Sequence, residues 1–282
     1  MPIFTIAHLT LLETRRRRIL LAGLLCGMAF VVLFATALSF VERSLQAQTA
    51  LDIVRRRTAL HALTVAGLYV ANFLTLITAA LLPVDTLSGE IASGVTQTLA
   101  SKPIRRAEIV VGKWLAHWMV AAAYLAVTAG GVILASRVVS GFLLPGVERG
   151  LPLMLLEATV MLTVSIAGGT RFSTVTNGLV AFGVFGMAFI GGWVEQIGEI
   201  ITDNPATRQA VRDVGTVASL ISPTDSLWRL AAYHMLPTIA RDLSLTPFTQ
   251  IFPPSNAVVV WAAGYVLVVL AIALRQFQRR AL

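Results

Sequence analysis

Arg15-Arg16-Arg17-Arg18 followed by ILLAGLLCGMAFVVLFATALSFV, residues 19–41, decides the fold. The apolar run contains no charged side chain, and as a helix it reaches about 35 Å, enough to cross the hydrocarbon core of a bilayer. Arginines at its leading edge belong with the cytoplasmic headgroups, which places the N-terminus inside. The apolar stretch before those arginines reverses the order of a secretory signal peptide, so the N-terminus is expected to be retained. The rest of the chain has the same character: of 282 residues 56% are hydrophobic and 13% charged, with a mean hydropathy of +0.79. A soluble domain carries roughly twice that share of charge. The expectation is an all-α polytopic membrane protein, and a large soluble catalytic domain is excluded.

Working outward, six spans are predicted at about 19–41, 60–84, 109–135, 151–169, 176–193 and 255–274, forming a single transmembrane domain over 1–282. Residues 2–14 are too short to span; Ile3, Ile6, Leu9 or Thr10, and Leu12 or Glu13 fall on helical spacing and predict a helix lying in the interface. An inside loop covers 85–108 and a long outer segment 195–254. Within the latter, 206–221, 227–235 and 239–243, set between Pro223, Pro237 and Pro247, read as short amphipathic helices on the outer membrane face.

The charges test this plan. Inside segments collect 12 bases and four acids, outside segments 10 of each, so the whole net charge of +8 falls on one side. Both termini are then expected to be cytoplasmic. The alternative, with 42–60 inside, requires the first apolar run to be re-entrant. Bases that flank apolar runs are explained by membrane orientation rather than by nucleic acid. Cys26, alone in the chain and within the first span, excludes an intrachain disulfide and reads as a small packing residue.

Catalytic machinery is missing. The pair Gly112-Lys113 has Ala107 where a P-loop needs its first glycine, and Trp114 follows. His8, His61, His117 and His234 never stand at the spacing of a helical metal pair, and the minimal motifs of zinc proteases and serine hydrolases are absent. The chain is expected to be no enzyme and to hold no cofactor or metal.

The informative stretch is the inside loop: Asp85-Thr-Leu-Ser88-Gly89-Glu90, then Gly94 ahead of Leu99, then Ser101-Lys102-Pro103-Ile104-Arg105-Arg106, then Gly112-Lys113. Gly89 and Gly94 bracket a short turn of structure, Pro103 limits helix continuation, and the cations open a new membrane helix. Glu90 is expected to brace the loop through backbone N–H groups, and Arg105 and Arg106 to pair with partner acids or lipid phosphates.

This order of residues resembles the loop after the second span in permease subunits of ABC-2 type ATP-binding-cassette exporters. The six-span plan, the N-terminal helix and the extended outer segment are also similar, nearest to the permeases of nitrous oxide reductase maturation and of sodium or drug export. The resemblance implies a separate ATPase subunit carrying ATP and magnesium, contacted through Asp85, Ser88, Gly89, Glu90, Pro103, Arg105, Arg106 and Lys113, with a second copy or a homologous permease completing the pathway. The family often has a further acid or arginine just after Gly-Glu, where this chain has Ala92 and Ser93.

Polar groups inside spans face the bundle interior or a cavity. Asn72, Thr75 and Thr78 share one face of the second span, Asn177 opens the fifth, and Glu157 lies two turns into the fourth. Asn72, Thr75, Asn177 and Glu157 are therefore pathway candidates; helix-to-helix bonding is the competing reading, with an ion pair from Glu157 to Arg149 or Arg137. Gly23 and Gly27 form a Gly-x-x-x-Gly suited to dimer contact or to packing within the chain. Met154 and Met161, seven apart, read as packing residues. A secondary transporter or channel would call for internal repeats or several buried charges, and a membrane scaffold would need no polar pathway.

Overall fold

The computed structural model describes residues 2–45, 50–94, 104–141, 143–201, 204–236 and 254–280, and among these there are helices and turns but no strand. The helices are α1 (Pro2–Arg16), α2 (Arg18–Ser44), α3 (Ala50–Leu81), α4 (Ser88–Ala92), α5 (Arg106–Ser140), α6 (Val147–Gly169), α7 (Thr174–Ile201), α8 (Pro205–Ile221), α9 (Thr224–Met235) and α10 (Ala257–Arg279). Six of them, α2, α3, α5, α6, α7 and α10, are long and apolar enough to cross a membrane. The all-α polytopic expectation is met. α2 runs unbroken, which leaves no place for a re-entrant first span.

Helix ends follow local chemistry. Gly141, at φ +67°, caps the end of α5, and Gly146, also at +67°, precedes α6; a side chain is strained at either angle. Asn204 accepts the Ala206 N–H ahead of Pro205 and starts α8. α3 stops at Leu81, short of the predicted 84, because the chain turns through Pro83. α7 continues past the predicted 193, since Glu195 has a cationic partner and need not leave the helix for water.

α6 is buried along most of its length and forms the centre, whereas α2 and α10 show long apolar faces outward, the pattern of peripheral membrane helices. One apolar cluster joins Phe34, Leu68, Met154, Leu227 and Met235; a second joins Ile6, Leu87, Ile109, Met161 and Phe277. Met154 and Met161 thus pack in different clusters. Cys26 is exposed rather than packed, because Gly23 and Gly27 occupy the inward face of α2.

Two amphipathic segments sit differently from expectation. α1 buries Ile6, Ala7, Thr10 and Thr14 and exposes Phe4, Leu9 and Leu12. Its inward face is the one that fits Gly112 of α5, where a Cβ would stand 2.8 Å from Ile6 and 2.9 Å from the Ile3 carbonyl oxygen. α9 is no surface helix: Ser226 through Ala232 and Met235 are all buried, against α6 above all. It is inserted among the spans. α8 keeps the expected amphipathic character and packs along α7. The expected helix at 239–243 lies outside the described residues.

Candidate functional site

Three helix ends and one turn meet at the end of the bundle that carries α1 and the last turn of α10. The turn after α3 folds back on itself through the bonds Thr86 N–H to Pro83 O and Gly89 N–H to Asp85 O. Gly89 is required here, because a Cβ would collide with the Asp85 carboxylate. That carboxylate accepts from the Thr174 hydroxyl at 2.8 Å and faces Arg17 at 3.8 Å. Ser88 donates to Val84 O and meets the Thr174 hydroxyl at 3.0 Å. The start of α7 is thereby tied to α4.

Glu90 does not brace backbone N–H groups as expected. Its carboxylate receives the Lys113 ammonium, and both side chains are largely buried. A buried charge without a partner is costly, so each fixes the other's position and α4 is locked to α5. One turn on, His117 Nδ1 lies 2.8 Å from Lys113 O. A carbonyl only accepts, so Nδ1 carries the proton and Nε2 accepts from the Thr86 hydroxyl at 3.2 Å. Arg17 completes the cluster by donating to Glu13 at 2.5 Å. Burial works to raise the Glu13 carboxyl, but the Arg17 bond and charge, aided by Lys113 and His117, hold it below its ordinary range.

The two adjacent arginines differ. Arg106 donates through Nη1 to carbonyls at the C-terminal end of α10, at 3.2 Å from Gln278 O and 2.7 Å from Arg280 O. Arg105 is exposed; its N–H donates to the Glu108 carboxylate at 2.9 Å, which starts α5. Arg15, Arg16, Arg18 and Arg171 are also exposed. Pro103 lies outside the described residues.

The pathway candidates separate. Asn72 and Glu157 meet: the amide Nδ2 donates to Glu157 Oε2 at 2.7 Å, and both residues are buried. The partner of Glu157 is therefore an amide of α3, not Arg149 or Arg137, because Glu157 points inward from α6. Thr75 is buried but donates to Ala71 O of its own helix. Asn177 sits at the other end, donating to Val84 O at 3.0 Å and Ser165 O at 2.9 Å, and joins α7 to α6 and the turn after α3. Gly23 and Gly27 are taken up within the chain: Gly23 O accepts from the Tyr124 hydroxyl at 3.0 Å, and a Cβ on Gly27 would stand 2.8 Å from Thr128. The face they open is filled within the chain, by α5 above all.

Beside Asn72 and Glu157 lies a small cavity of about 20 Å³, which Asp225 of α9 also lines. Its walls are Tyr69, Phe73, Phe185, Phe189 and Trp228, with Tyr69 and Trp228 ring centroids 5.1 Å apart. Arg229 stands 2.9 Å from Asp225 Oδ2 and donates to Glu195 at 2.8 Å. Burial, with Glu195 adding and Arg229 opposing, pushes the Asp225 carboxyl up to about 6.

Sequence reasoning singled out the segments 2–18 and 85–106 that hold Glu13, Arg17 and Thr86 but not their pairings, and it missed Thr174 and the Asp225-Arg229-Glu195 group. Asp225 and Arg229 stand at i, i+4, a pairing signal that was available. The rest join elements distant in sequence and give no local sign.

A bundle of six apolar helices, with a polar cluster at one end and an acid-bearing cavity within, defines a polytopic membrane protein rather than a soluble enzyme. The chain belongs to the ABC-2 family: the model described as ABC-2 family transporter protein matches residues 4–282. It is a membrane permease of the ABC transporter class. No curated protein matches the chain.

Proposed function

We propose that this chain is the membrane subunit of an ATP-driven exporter, moved by a separate ATPase subunit on which ATP and magnesium bind. A second copy or a homologous permease completes the pathway, in the inner membrane of a prokaryote with both termini cytoplasmic. The observation that carries this reading is the buried Glu90–Lys113 pair. A chain without its own nucleotide site must receive work by contact, and contact transmits work only through parts that do not yield. Glu90 and Lys113 weld α4 to α5, and Asp85 links the same turn to α7 and α1. Ala92 and Ser93 of the same turn, Arg105 and the α1 arginines Arg15 and Arg16 are exposed, and they are the groups through which a partner would be met.

Affinity purification from native membranes is expected to bring down an ATPase subunit that hydrolyses ATP. Lys113→Met is expected to lower substrate-stimulated hydrolysis about tenfold while the two subunits still co-purify. A purified chain that recruits no ATPase and transports unaided in liposomes would sink the proposal.

A further inference from the structure

We infer that the cavity between α3, α6, α7 and α9 binds a singly charged cationic group about the size of a water molecule: an inorganic monovalent ion or the ammonium head of an amine. Besides the Tyr69 and Trp228 rings with their hydroxyl and indole N–H, the polar residues lining it are Asn72, Glu157 and Asp225, whose oxygens are acceptors. Asn72 spends its amide N–H on Glu157, which leaves Asn72 Oδ1 buried with no hydrogen-bond partner in a residue only 2% exposed. An orphaned buried carbonyl oxygen, on a residue that lines a cavity, calls for a donor or a cation. Glu157, also 2% exposed, is met among the described residues by that neutral amide alone, whereas Asp225 shares the Arg229 guanidinium with Glu195. A carboxylate in that position is costly until positive charge arrives.

The walls select the kind of charge. Aromatic faces attract cations, ammonium groups especially, and exclude anions. The Tyr69–Trp228 contact closes one side, while Phe73, Phe185 and Phe189 stack along another at centroid separations of 5.9 and 6.0 Å. A volume of about 20 Å³ admits one water-sized occupant. Calcium would need six or more oxygens and magnesium a near-octahedral shell, which two carboxylates and one amide do not supply. Among the described residues no cluster of three or more metal-binding side chains exists. A monovalent cation is the occupant that fits the charge, the walls and the room.

As a statement of substrate class this inference rests on the exporter reading; as a binding site it stands on the chain alone, and the test keeps the two apart. The full chain, without any ATPase, is placed in phosphatidylcholine nanodiscs, and thermal unfolding is followed by tryptophan fluorescence. Ammonium, methylammonium, sodium or potassium is raised from 1 to 100 mM against N-methylglucamine, which is too large to enter, at constant ionic strength. At least one of the four is expected to raise the melting temperature by about 3–6 °C. The rise should vanish in Glu157→Gln and persist in Glu148→Gln; should Glu157→Gln fail to fold, Asn72→Leu serves in its place. A larger effect of the two ammonium ions identifies an amine head group, and a larger effect of sodium or potassium an inorganic ion. No rise with any of them, or an equal rise in Glu157→Gln, would overturn the inference, whether or not an ATPase co-purifies.

Discussion

Asp225 shows how burial makes a single carboxyl a pH-dependent element. Its ordinary value is near 3.8, and in the folded chain it rises to about 6, burial outweighing the attraction of Arg229 while Glu195 adds repulsion. Between those values the folded chain holds the proton that the unfolded chain has released. The stability linked to this group is therefore fully present below about pH 4 and is lost as pH rises through about 6. The size is on the order of 3 kcal/mol. Glu157, Glu195 and Arg229 face the same region, so the measurement must isolate Asp225. Thermal unfolding of the wild type and Asp225→Asn between pH 4 and 7 is expected to show a fall in the wild type that the variant lacks in part. Parallel curves would place the titration elsewhere.

Elements meet where small residues let them. Gly112 brings α1 against α5 so closely that a Cβ would stand 2.8 Å from Ile6. Thr10 and Thr14 are buried, and the contact brings Glu13 and Arg17 to the cluster around Asp85 and Lys113. Gly112→Val is expected to lift α1 away and expose its inner face. In a Cys26→Ser background, Thr10→Cys should resist a water-soluble maleimide, and adding Gly112→Val should raise its labelling rate at least tenfold. Unchanged labelling would mean that α1 is held by its loop rather than by the groove. α9 makes the same point in reverse. From its sequence, Asp225, Arg229 and His234 suggest a surface helix, and the pairing of Asp225 with Arg229 makes burial tolerable instead.

For the molecule as a whole, the charges give an orientation that the bundle alone does not. Arg17, Asp85, Arg106 and Arg280 gather at one end, and Glu195, Arg212 and Arg229 border a pocket at the other. Under the positive-inside rule the first end is expected to be cytoplasmic. Single cysteines at Arg105 and Arg279 in a Cys26→Ser chain should be protected from an impermeant reagent in intact cells and label after lysis. One at Ser219 should label in both. The opposite pattern would invert the topology.

The number and class of spans were legible because a bilayer demands about twenty apolar residues per crossing, a property of contiguous sequence. Helix ends were legible within a few residues wherever a glycine, proline or cap marks them. The residues of the loop at 85–108 were legible as a group, but not their partners: Glu90 was expected to meet backbone and meets Lys113, and Arg106 was expected to face outward and holds the end of α10. Asn72 and Glu157 were singled out separately as polar groups in apolar helices, and only the packing of α3 on α6 brings them together. By itself, then, the sequence determined that this chain carries six segments long and apolar enough to cross a membrane. Tertiary structure alone decided which buried polar groups face one another, because hydrogen bonds between helices depend on the rotation and depth of each helix in the bundle. Those are set by the fit of side chains distant in sequence, and no local pattern encodes them.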